Sequence, residues 1–120
     1  MQYELKEGNG LIKEYDVYDQ LIYEGEYLNG EKNGKGKEYG YNNILIYEGE
    51  YLNGIRNGKG KVYDICDNLI IEEEEYLNGK RNGKGKEYDD DNGKLIFEGE
   101  YLNGKKWNWK GIKSDSNSKL

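Results

Sequence analysis

Apolar and polar residues alternate along this chain with a period of two, in short runs broken by Asn-Gly pairs and by acidic or amide-rich stretches. In Leu21–Leu28 the residues Leu21, Tyr23, Gly25 and Tyr27 fall on one side of an extended backbone, and Ile22, Glu24, Glu26 and Leu28 on the other. Gly34-Lys35-Gly36-Lys37-Glu38-Tyr39 alternates in the same way. Between the two runs lies Asn29–Gly34, which carries two Asn-Gly pairs, the dipeptide most typical of tight hairpin turns. The pattern predicts a β-hairpin with Asn29–Gly34 as its loop. Tyr41-Asn42-Asn43, Asp64 to Asn68, and Asp89 to Gly93 then join one hairpin to the next. Helix is not expected, because glycine costs about 1 kcal/mol inside one and recurs throughout.

The hairpin repeats. YEGEYLNGEKNGKGKEY begins at Tyr23, YEGEYLNGIRNGKGKVY at Tyr47, EEEEYLNGKRNGKGKEY at Glu72 and FEGEYLNGKKWNWKG at Phe97. The tyrosines before Leu-Asn-Gly are Tyr27, Tyr51, Tyr76 and Tyr101, spaced 24, 25 and 25. A second comb, Tyr15, Tyr39, Tyr63 and Tyr88, keeps step with spacings of 24, 24 and 25. Two combs in phase define a tandem array. A contracted hairpin occupies 2–15, full repeats occupy about 21–39, 45–63, 69–88 and 95–112, and the array as a whole spans 1–113. Residues 114–120 read as a polar tail. Ten strands at the usual separation make a ribbon ~45 Å long.

Composition sharpens this picture. Leu, Ile, Val and Phe total 24 of 120 residues, a fraction at which charged chains tend toward disorder. Thirteen tyrosines and two tryptophans reverse that tendency, since each ring buries a large area and suits a pleated surface. Gly25, Gly49 and Gly99, with Gly36, Gly60 and Gly85 on the partner strands, are expected to be floors on which tyrosine rings lie.

These residues resemble the MORN repeat (membrane occupation and recognition nexus): an aromatic-x-Gly-x-aromatic strand, an Asn-Gly turn, then Gly-x-Gly-x-x-aromatic. The likeness covers nearly all of Tyr3 to Gly111, and the LI-x-EGEY-x-NG segment is also similar to bacterial YwqK-type antitoxin repeats. The resemblance implies an all-β fold, an open, elongated antiparallel sheet of tandem hairpins. The third unit departs from it, with Glu72 for the leading aromatic and Glu74 for the glycine, which puts the stacking there in doubt.

Little chemistry is available. No histidine is present and Cys66 is the single cysteine, which excludes histidine-based triads, Cys/His zinc sites and intrachain disulfides. The recurrent Glu24/Glu26, Glu48/Glu50 and Glu98/Glu100 pairs read as a Glu–Lys ladder on a solvent face, since one catalytic site needs no copying. Asp89-Asp90-Asp91-Asn92-Gly93 places glycine at the fifth position, not the sixth that a calcium loop needs. No catalytic, cofactor-binding or metal-binding residue is assigned, and the chain is expected not to be an enzyme.

Binding is the expected function. A single open sheet leaves part of the aromatic row uncovered, so Tyr23, Tyr27, Tyr47, Tyr51 and Tyr101, with Trp107 and Trp109 at the end, are the expected contact for a protein partner or for self-association. The alternative is a peripheral module binding acidic phospholipids through a basic hairpin edge of Lys32, Lys35, Arg56, Lys59, Lys80, Arg81, Lys84, Lys105 and Lys106. Nucleic acid is not expected of a chain with 24 acidic and 18 basic residues. The absence of an apolar segment long enough to span a bilayer, together with the lone cysteine, suggests a cytoplasmic protein, membrane- or cytoskeleton-associated under the alternative.

Overall fold

The computed structural model describes residues 2–6 and 9–109, and the side chains of residues 9–107. Ten strands follow the alternating pattern: β1 Gln2–Lys6, β2 Asn9–Tyr15, β3 Leu21–Leu28, β4 Glu31–Tyr39, β5 Leu45–Leu52, β6 Ile55–Tyr63, β7 Ile70–Leu77, β8 Lys80–Tyr88, β9 Leu95–Leu102 and β10 Lys105–Trp109. They form one open antiparallel sheet in sequential order, with β1 and β10 at its edges and overall extents of 53 × 29 × 16 Å. Among the described residues the sole helical feature is a single 3-10 turn at Tyr41–Asn43. The polar tail 114–120 lies outside the described residues.

The hairpin loop is shorter than its sequence suggests. Asn29 and Gly30 alone make the turn, both at positive φ (53° and 81°), as a type I′ turn requires. Asn53-Gly54, Asn78-Gly79 and Asn103-Gly104 repeat it. The second Asn-Gly pair is not loop but strand. Gly36 faces Gly25 and Lys32 faces Tyr27, so three residues of β4, Asn33 to Lys35, stand against Glu26 alone. This bulge holds Gly34 at φ 103°, where an L side chain is strained, and it recurs at Gly58 and Gly83.

The bulge leaves a backbone N–H without its ladder partner, and the neighbouring glutamate supplies one. Glu26 accepts from the Lys35 N–H at 2.9 Å, Glu50 from Lys59 at 2.8 Å and Glu75 from Lys84 at 2.7 Å. The same bulge docks the next hairpin. The Asn57 side chain accepts from the Asn78 N–H, and the Gly79 N–H donates to the Arg56 carbonyl. Asn82 with Asn103, and Gly104 with Arg81, repeat the arrangement.

A single sheet nevertheless has a core. Tyr23, Tyr47, Tyr51, Tyr76, Phe97 and Tyr101 are buried on one face, with Ile12. Tyr23 and Tyr47 each lie on the glycines of their own hairpin: a Cβ built at Gly25 would stand 2.5 Å from the Tyr23 hydroxyl, and one at Gly60 2.6 Å from Tyr47 Cε1. Rings of adjacent hairpins then meet edge to face, Tyr23 on Tyr51 at 5.5 Å and Tyr47 on Tyr76 at 5.9 Å between centroids.

Candidate functional site: the two faces of the ribbon

The aromatic face is closed. Tyr23 and Tyr47 are 1% exposed, Tyr101 2% and Tyr51 5%, so these four rings are core and not the accessible row expected of them. Two devices replace a second layer. The rings interleave along the array, and long cationic side chains lie over them: Lys32 Nζ is 4.3 Å from the Tyr23 centroid, the Arg56 guanidinium 3.7 Å from Tyr47 and Lys106 Nζ 4.3 Å from Phe97. Tyr27 is half-buried, its hydroxyl donating to Glu14 at 2.7 Å.

Lys32, Arg56, Arg81 and Lys106 are therefore roof elements of the aromatic face, not members of one free basic edge. Arg56 is the fullest case. It donates two hydrogen bonds to Glu38, which also accepts from the Tyr51 hydroxyl. Burial opposes the Glu38 charge, yet the hydrogen bonds from Arg56 and Tyr51 hold its carboxyl below the usual range. Arg56→Ala should lower stability by about 1–2 kcal/mol, less than a deeply buried pair would give because about a quarter to a third of both side chains is exposed. Urea titration beside Arg56→Lys, which keeps the charge but not the fork, measures it.

The third hairpin rebuilds this face with different atoms. Glu72 stands where the leading ring would be and takes two hydrogen bonds from Arg81, at 2.8 and 2.9 Å. Glu74 replaces the glycine and fills the space over Gly85. Strand pairing runs through the glutamates, Glu74 facing Gly60 and Gly85, so the run does not interrupt the stacking.

The opposite face is polar, with aliphatic margins. Glu24, Lys37, Glu48, Lys61, Glu73, Lys86 and Glu98 face one another in succession from β3 to β9, a ladder of alternating sign. A parallel row runs through Glu26, Lys35, Glu50, Lys59, Glu75, Lys84 and Glu100. Between the rows the glycine backbone forms the floor of a trough of about 1250 Å³. The paired carboxylates have structural duties. Glu24, Glu48 and Glu73 accept from the hydroxyls of Tyr39, Tyr63 and Tyr88, while Glu26, Glu50 and Glu75 close the bulges. Burial and the glutamate partner push the Tyr63 and Tyr88 phenols up to about 12.

Along the turn-side margin Leu28, Leu52, Leu77 and Leu102 are 44–52% exposed, one per hairpin, with Ile55 beside Leu52. Their regular exposure follows from the period of two and the unit length, and its signal is the leucine of each Tyr-Leu-Asn-Gly. Of the remaining cations, Lys35, Lys59 and Lys84 are exposed in the second row, and Lys80 and Lys105 are exposed beside the turns. Trp107 is 58% exposed in the register shift of β10, and the Trp109 side chain lies outside those described. In the Asp89 turn the carboxylates of Asp89, Asp90 and Asp91 gather within 4.8 Å, and Asp89 accepts from the Asp91 and Asn92 N–H groups as an ordinary turn-former.

Comparison with known proteins agrees with this geometry. The family model for the MORN repeat matches residues 23–43, 47–64 and 75–94, which fall in three successive hairpins with their bulges. No curated protein matches the chain.

Proposed function

Since this chain belongs to the MORN-repeat proteins, a generally non-catalytic family known in protein-binding and membrane-associated modules, we propose that it is a non-enzymatic interaction module that holds a protein segment along its polar face. The observation that carries this reading is the row of four half-exposed leucines beside the trough. Isolated exposed leucines need no explanation, but one per full hairpin, in register along a sheet, makes a periodic apolar row, bridged by Ile55 between Leu52 and Leu77 and flanked by Glu31 and Lys80 on the intervening strands. The alternating charges next to it fix the register of a partner and reject mismatched ones more than they add affinity. Exposed Trp107 and the β10 edge add a second contact at one end of the ribbon, where an added strand or a second copy would pair.

The membrane reading keeps its own support in Lys35, Lys59 and Lys84, exposed on one face at a pitch of about 10 Å. Each has a glutamate beside it, so attraction to an anionic surface fades beyond about one Debye length, ~8 Å at physiological salt. One experiment separates the two. Leu52→Asp with Leu77→Asp should change the melting free energy by about 1 kcal/mol or less while abolishing capture of partners from the native cell. Retained capture by that variant, together with tight flotation on anionic vesicles that Lys35→Glu, Lys59→Glu and Lys84→Glu abolish, would replace the protein reading by the membrane one.

A further inference from the structure

Among the described residues Glu74 is the one charged side chain buried on the aromatic face, 3% exposed, and neither of its carboxyl oxygens has a hydrogen-bond partner. A buried carboxylate in that state is costly, whereas the neutral acid packs as a filler. Every element around it bears on that balance. Its own strand contributes Glu72 and Tyr76, and β8 contributes Arg81, Glu87 and the Gly85 on which it lies. From β9 comes Tyr101, from β10 Lys106, and from β6 the uncharged Gly60 and Val62. Both nearby cations are already engaged, Arg81 with Glu72 and Lys106 with Glu87 at 3.3 Å. Glu72 and Glu87 face each other directly across β7 and β8, so a third charge there meets two of its own sign.

We propose that Glu74 is a pH-sensitive joint in the array, which locks the β7–β8 hairpin onto its neighbours when protonated and loosens it when the proton is lost. Burial first, and then Glu72 and Glu87, push this carboxyl up to about 8 against the attraction of Arg81 and Lys106. The folded chain therefore keeps a proton that the unfolded chain gives up near the ordinary value of 4.5. Between those values the native state binds more protons, so stability falls as pH rises, by about tenfold in the folding equilibrium constant per pH unit. With no histidine in the chain, no other side chain has an ordinary value inside that window. In a one-dimensional array the loss falls on the hairpin that carries it and divides the repeats on either side.

The test is denaturant unfolding of the full chain from about pH 5.5 to about pH 7.5, with hydrogen exchange of β7 and β8 corrected for its intrinsic pH dependence. The wild type should lose about a hundredfold in its folding constant over that range, with protection lost first in β7 and β8. Glu74→Gln should keep only the shallower dependence of Glu72, whose carboxyl is also pushed up by burial and by Glu87. Should Glu74→Gln not fold, Glu74→Gly, which restores the residue of the other hairpins, takes its place. Equal pH dependence of wild type and variant overturns the proposal. So does a carbon-13 titration of the Glu74 carboxyl in the wild type with its midpoint near the ordinary 4.5.

Discussion

Gly60→Val should destabilise the chain by about 1–3 kcal/mol, whereas Lys59→Val, one residue away, should be nearly neutral. The Gly60 Cβ position points into the Tyr47 ring, with Cε1 2.6 Å away. That ring is 1% exposed and cannot swing aside, because Tyr51 and Tyr76 meet it edge to face and Arg56 covers it. A branched side chain must therefore lift the ring, open its contacts with both neighbours and unseat the guanidinium. Lys59 lies on the opposite face and is exposed, so a valine there costs a solvated charge and gains strand propensity. Thermal melts of the two variants side by side make the comparison, and equal shifts would show that the ring does not depend on the glycine floor.

The same contrast marks what is legible in the sequence. Period-two alternation and in-phase tyrosine combs are local signals, and they suffice for the hairpins and the glycine floors, while the open sheet is what the resemblance to the MORN repeat implies. The second Asn-Gly pair reads as loop and folds as strand, because residue type alone does not separate a type I′ turn from a bulge. What separates them is the preceding strand, where Glu26 supplies the acceptor that makes the bulge satisfiable. Burial of Tyr23, Tyr47, Tyr51 and Tyr101 is hidden for a related reason. A single sheet has no second layer, but edge-to-face rings under long cationic side chains make a cover from within the layer. That cover also removes Lys32, Arg56, Arg81 and Lys106 from the basic edge, since a cation's place in the repeat carries no sign of which face it serves. The third hairpin shows compensation that no single position reveals: losing the ring at Glu72 vacates the space that Glu74 fills, and Arg81 gains Glu72 as its partner.

A chain stopped after Tyr39 should show no cooperative melt. Strand order follows the sequence without a crossover, so among the described residues each hairpin is held by its neighbours and no distant strand returns to close the sheet. The cut at Tyr39 removes three of the four tyrosines in the core cluster, Tyr47, Tyr51 and Tyr76, and leaves Tyr23 without the Tyr51 edge that packs against it. It also strips Glu38 of both Tyr51 and Arg56, the donors that hold its carboxylate, on what becomes the sheet edge. Among the described residues, the two hairpins then retain Ile12 and Tyr23 as buried apolar side chains, too little area to offset the ordering of the remaining backbone. Stopping after Tyr63 restores the β5–β6 hairpin with its Arg56 roof and should restore a transition, broader and at lower temperature than that of the full chain. Circular dichroism melts across the three lengths read the series directly. A sharp two-state melt from the shortest chain would mean that each hairpin carries its own stability, and the array account of this fold would be wrong.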